Sequence, residues 1–127
     1  MSGPALTAAA LNPQPERWGA MRAGNIDSRA RDTTPDLSTI NDSISTAVCA
    51  VARRDGQPSG PQDLTWTGVI SLDATLRIVS VVLAVGVDVP GLATDNPIDY
   101  LVTITAQTNG GRRLSWDTYQ LVVAQIG

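Results

Sequence analysis

Polar and apolar residues alternate almost without error across 98–107, and the alternation stops at Asn109-Gly110-Gly111. A period of two puts successive side chains on opposite faces of a strand, and an Asn-Gly-Gly stop reads as a hairpin turn. The pattern predicts two long strands, 98–107 and 112–125, joined at that turn. Tyr100, Val102, Ile104 and Ala106 share one face of the first, and Thr103, Thr105 and Gln107 share the other. On the return strand Tyr119, Leu121 and Val123 form the row assigned to the core. Trp116, Thr118, Gln120 and Val122 form the opposite row. Upstream, 45–54 reads as a strand that ends in the turn-rich stretch 55–63, "DGQPSGPQD". A further strand, 64–72, carries Leu64, Trp66 and Ile70 on one face. The segment 74–87 is apolar on both faces in its second half. It holds either one strand buried on both sides or two strands joined near residues 84–86. A loop, 88–97, then leads back to the hairpin. One-sided burial in short strands with polar turns predicts an all-β, small antiparallel sandwich over residues 44–127.

Residues 1–43 break the pattern. Pro4, Pro13, Pro15 and Pro35 punctuate the segment, and neither a period of 2 nor one of 3.6 persists. The segment is read as an extended N-terminal arm without a core of its own, ordered by contact with a partner chain. Fully stretched it reaches on the order of 140 Å. Within "PERWGAMRAG", Trp18 and Met21 lie among Arg17 and Arg22, a composition suited to an interface anchor. Trp18 folding back onto its own domain is the competing reading.

Composition narrows the chemistry. The chain has 127 residues, one domain's worth, with 43% hydrophobic but only 4% aromatic residues and no Phe, so its core is aliphatic. The net charge of −3 supplies no global basic field for nucleic acid. All nine basic residues are Arg, which favours forked hydrogen bonds at interfaces, although genomic base composition produces the same bias. No histidine is present, so a nucleophile at Cys49, set in the apolar run "TAVCAVA", has no imidazole base. The thiol reads as a small buried hydrophobe. Asp88, Asp95 and Asp99 gather around one loop and are the candidate carboxylates for acid–base work or Ca²⁺. Their irregular spacing matches no calcium-loop motif, and ordinary loop hydrogen bonding explains them. No metal, cofactor or catalytic residue is therefore assigned. No run approaches the twenty or so apolar residues of a membrane span, and the N-terminus lacks the cationic start of a signal peptide. Synthesis in the cytoplasm without a membrane partner is expected.

The stretch "DYLVTITAQTNGGRR" resembles the F-strand and following turn of fibronectin type III and related immunoglobulin-like domains. Tyr100 stands where those domains place a tyrosine whose hydroxyl bonds back to nearby backbone. A strand ending in "SVVLAVGVDVPG", followed by this hairpin, is similar to small structural proteins of tailed bacteriophages, the fiber-tail adaptor or tail-associated proteins. The similarity covers about residues 64–125. What the resemblance implies is an immunoglobulin-like sandwich in a virion building block, not an enzyme. Its partners would be other virion structural proteins and copies of itself within a large symmetric assembly of tail, neck or capsid. Arg17, Trp18, Met21 and Arg22 are the expected contact residues of the arm, with Arg112, Arg113 and Trp116 as possible loop contacts. The alternative is a free sandwich that grips a carbohydrate or protein with loops 55–63, 88–97 and 109–113. Trp116 would then serve as its platform, and Trp66 is read as packing.

Overall fold

The computed structural model describes residues 15–125. Two sheets face one another. The larger contains β1 (Glu16–Arg17), β2 (Met21–Arg22), β4 (Ile44–Arg53), β7 (Ile98–Thr108) and β8 (Arg113–Val123). The smaller contains β3 (Ile26–Asp32), β5 (Thr65–Leu72) and β6 (Ile78–Ala84). In the larger sheet β4 pairs with β7 and β7 with β8, all antiparallel, while β1 and β2 run parallel to the far side of β8. In the smaller sheet β6 is central between β3 and β5. β3, β6 and β5 thus take the places of strands B, E and D of an immunoglobulin-like sandwich, and β4, β7 and β8 those of C, F and G. A short helix, α1 (Thr34–Thr39), crosses from one sheet to the other. Pro35 starts it, because a proline in the first turn forfeits no helical hydrogen bond.

The hairpin matches the alternation. Ile98, Tyr100, Val102, Ile104 and Ala106 of β7 are buried against Val79, Val81 and Leu83 of β6, which resolves 74–87 as a single strand. Turn positions of the β7–β8 hairpin fall at Asn109 to Gly111, and Gly111 takes a positive φ of 85° that favours glycine.

Two expectations fail. Residues 15–43 are not an arm ordered by a partner; they are integral to the sandwich. β3 pairs with β6 over its whole length, β1 and β2 edge β8, and Met21, Ala23 and Leu37 lie in the core. The domain boundary at residue 44 is therefore replaced by one unit spanning all the described residues. Residues 1–14 of the expected arm lie outside the described residues. The two rows of β8 are also exchanged. Leu114, Trp116, Thr118, Gln120 and Val122 face inward, and Tyr119, Leu121 and Val123 lie on the outer face.

Both failures have one physical cause. The inward row of β3 is Asp27, Arg29 and Arg31, and the inward row of β8 includes Thr118 and Gln120. These polar rows satisfy each other. Arg29 Nε donates to Gln120 Oε1 (3.1 Å), and Arg31 Nη1 donates to Thr118 Oγ1 (3.1 Å) and to the Asp117 carbonyl (2.9 Å). The Gln120 amide donates to the Gly19 carbonyl (2.7 Å). Buried polar groups are tolerated where they are paired, so a strand can carry arginines inward and still belong to the interior.

Candidate functional site

The four anchor residues of the expected arm divide. Met21 is fully buried, and Trp18 packs against the core while its indole N–H donates to the Ala30 carbonyl at 2.7 Å. Of the two readings of Trp18, folding back onto its own domain is the one observed. Arg22 is exposed at the end of β2. Arg17 lies on the outer face of the larger sheet, because β1 sets it beside Tyr119 in register. There its guanidinium makes a forked pair with Asp99 (3.1 and 2.9 Å) and sits 5.4 Å from the Tyr119 ring centroid. Arg54, just past β4, reaches the same carboxylate at 2.7 Å and covers the same ring at 4.1 Å. Burial alone raises the Asp99 carboxyl, but the hydrogen bonds from Arg17 and Arg54 outweigh it and hold the group below its ordinary range. The hydrogen bond to Asp99 likewise raises the Arg17 guanidinium. An aromatic ring under two half-exposed arginines is thus fixed at one end of an open sheet face. Away from the ring, Val48, Thr105 and Ser115 form one rung of that face and Ala50, Thr103 and Asp117 the next, while Leu101, Leu121 and Val123 add apolar surface near the ring.

A second cluster lies where β4 ends. Arg53 is buried, with Nη1 donating to Asp63 (3.0 Å) and to the Pro90 carbonyl (2.8 Å) and Nη2 to Asp55 (2.7 Å). Asp63 also accepts from the Tyr100 hydroxyl (2.5 Å) and the Gly60 N–H (2.7 Å). The tyrosine hydroxyl therefore bonds the Asp63 side chain in the β4–β5 loop and also the Leu64 backbone beside it. Burial pushes the Asp63 carboxyl up, and the bonds from Tyr100, Gly60 and Arg53 together bring it below its ordinary value. Burial first, and the bond to Asp63 second, keep the Tyr100 phenol protonated far above its usual range. Loops 55–63 and 88–97 meet over this cluster and form an open cleft of about 490 Å³ that includes Gln57, Asn96 and Ile98. Every strong polar group at its base is already paired within the protein, so the cluster holds the loops together and leaves no free acid or nucleophile there.

Loop 109–113 is at the opposite end and does not join that cleft. Asn109 N–H donates to the Ser43 carbonyl, Gly110 N–H to Asp42 Oδ1 (2.8 Å), and Arg112 Nη1 to Asp42 Oδ2 (2.8 Å). Arg112 is thereby tied to a buried carboxylate, whereas Arg113 is exposed at the start of β8. Trp116 is not a surface platform. It is buried, and its indole N–H donates to Asp36 of α1 at 2.7 Å. Trp66 is partly buried against the core, as packing requires.

Asp88, Asp95 and Asp99 are not brought together. Asp99 is occupied by arginines, and among the described residues no three His, Cys, Asp or Glu side chains are placed to hold a metal ion. Burial pushes the Cys49 thiol up to about 12, so it stays protonated and unreactive at neutral pH. No helix among the described residues is long and apolar enough to cross a membrane.

Sequence reading missed Tyr119, Arg54 and Asp99 as a unit, and Arg53 with Asp63. Arg54 and Asp99 are 45 positions apart, and only the pairing of β4 with β7 brings them together. A usable signal was present in Tyr119, an aromatic on a strand row whose neighbours include Asp117 and Arg113. No protein-family model, no curated protein and no solved structure matches this chain.

Proposed function

We propose that the protein is a non-enzymatic structural subunit of a tailed-phage particle, in an adaptor or decoration role. It docks on neighbouring subunits through the exposed face of its larger sheet. The observation that supports this most is the Arg17–Tyr119–Arg54 stack pinned by Asp99. Arginine and tyrosine dominate the residues that carry binding energy at protein interfaces, and here they are pre-ordered by their own hydrogen bonds. The resemblance of residues 64–125 to phage tail-associated sandwiches supplies the class of assembly. An arm clamping its neighbours is no longer part of the mechanism for residues 15–43, whose contacts are internal. The contact residues are now Arg17 and Arg54 around Tyr119, with Arg113 at the far end of the same strand.

The experiment is quantitative mass spectrometry of gradient-purified particles from a phage that encodes the chain. A fixed copy number per particle is expected. Replacing Arg17 and Arg54 together by alanine lowers incorporation roughly tenfold, the scale of losing interface anchors, while the chain still unfolds in one cooperative transition, lowered only by what the lost Asp99 pairs contribute. Expression in infected cells with none in the particles overturns the reading.

A further inference from the structure

The two sheets have four edges, and three carry features that discourage pairing with another strand. β1 and β2 are only two residues each. β3 is studded with Asp27, Arg29, Arg31 and Asp32. β5 is bulged between Trp66 and Ile70, with Gly68 at a φ of 91°. β4 is irregular only at its start, between Ile44 and Thr46, where the end of β5 packs near it, and the remainder of its edge carries no such feature. From Ile44 to Ala52 it holds neither charge nor proline, and its register against β7 is unbroken from Thr46 to Arg53.

The phase of the β4–β7 ladder fixes which backbone groups face outward. The Arg54 N–H donates to the Asp99 carbonyl at 3.0 Å. In an antiparallel ladder, bonded and non-bonded residues alternate, so Val48, Ala50 and Ala52 bond to β7. The N–H and C=O groups of Ala47, Cys49 and Val51 therefore point to the free side. Along the start of β4 only, an open groove of about 390 Å³ is walled by Ser45 to Ala47 and by Ile70 and Leu72 on β5. Val48, on the outer row, is 57% exposed.

We infer that β4 is a self-pairing edge, at which two copies of the chain join antiparallel about a twofold axis through Cys49. That axis sets Ala47 opposite Val51 of the second copy and Cys49 opposite Cys49 of the second copy, so every outward N–H finds an outward C=O. The sequence is compatible with itself in this register. Uncharged residues meet uncharged residues from Thr46 to Ala52, and Val48 packs beside Ala50 of the second copy. Arg53, the one charge at the end of the strand, is held inward by Asp55 and Asp63 and comes opposite Ser45 of the second copy. No like charges face each other, which is what favours a second copy over a charged partner strand. The larger sheets of the two copies become continuous.

This inference concerns the isolated protein and stands whether or not it enters a particle. The test is amide hydrogen exchange by NMR alongside sedimentation equilibrium on the full chain. The mass is expected to double as concentration rises toward the order of 1 mM. Over the same range the amides of Ala47, Cys49 and Val51 gain protection, while those of Val48, Ala50 and Ala52 are protected throughout. Val48→Lys, at an exposed position, weakens the dimer roughly tenfold or more and leaves the melting temperature alone. Ala50→Lys, on the same outer row, gives the same reading should the first variant fold poorly. A monomer at every concentration overturns the inference, as does a dimer indifferent to both lysines. Protection of the three amides at all dilutions would also overturn it, because the chain itself would then cover its edge.

Discussion

At the residue scale the strongest constraint is the Arg53–Asp63–Tyr100 cluster. Asp63 is fully buried yet ionised, and that is tolerable only because three donors converge on it. Removing one partner of a buried pair leaves the other charge without compensation, at a cost of about 3–5 kcal/mol. Asp63→Ala should therefore lower unfolding free energy by that order in urea titration. Asp55 also binds Arg53, but its side chain is 42% exposed. Asp55→Ala should be far milder, since Asp63 and the Pro90 carbonyl still hold the guanidinium. Equal losses from the two variants would mean that water reaches Arg53. Tyr100 was legible as a tyrosine at the start of a strand. Its partner was not, because Asp63 sits in a loop that reads as an ordinary turn.

At the element scale, what was legible was alternation with apolar residues in one row. β5, β7 and β8 announce themselves that way, whereas β4 and β6, apolar in both rows, are marked by the turn-rich loops that bound them. β3 does not, because its interior row is arginine and aspartate and its exposed row includes Ala30 and Ile26. The same inversion hid the core row of β8, where Thr118 and Gln120 face inward while Tyr119 lies outside under Arg17 and Arg54. A row is buried by what it can pair with, and hydropathy counts only part of that. The consequence is testable by truncation. A chain starting at Ile44 loses β3, which covers one side of the central strand β6, and removes Met21, Ala23 and Leu37 from the core. It should show no cooperative thermal transition and should bind a hydrophobic dye. A dispensable arm would leave a sharp transition close to that of the full chain.

At the scale of the whole molecule, the charges are mostly arranged as internal pairs, and this sets how stability follows pH. Asp42, Asp63 and Asp99 are each raised by burial but held lower by the hydrogen bonds they accept, so each is below its ordinary 3.8 in the folded protein. The unfolded chain binds these protons first as pH falls. Their contribution is whole above about pH 5 and is lost progressively below it. The alkaline side runs the other way. Burial raises the Cys49 thiol from 9.0 to about 12, and burial with the Asp63 bond raises the Tyr100 phenol above 10.0. Here the unfolded chain releases protons first, so stability erodes as pH climbs above about 8, with Cys49 acting before Tyr100. Melting temperature should therefore be flat from about pH 5 to 8 and decline on both sides. Cys49→Ala isolates the first alkaline step. Between about pH 8 and 9, where an unfolded Tyr100 is still almost wholly protonated, the variant should lose most of the wild-type slope and keep the acid limb unchanged. An unaltered slope would show that the Cys49 thiol titrates as freely in the sandwich as in the unfolded chain.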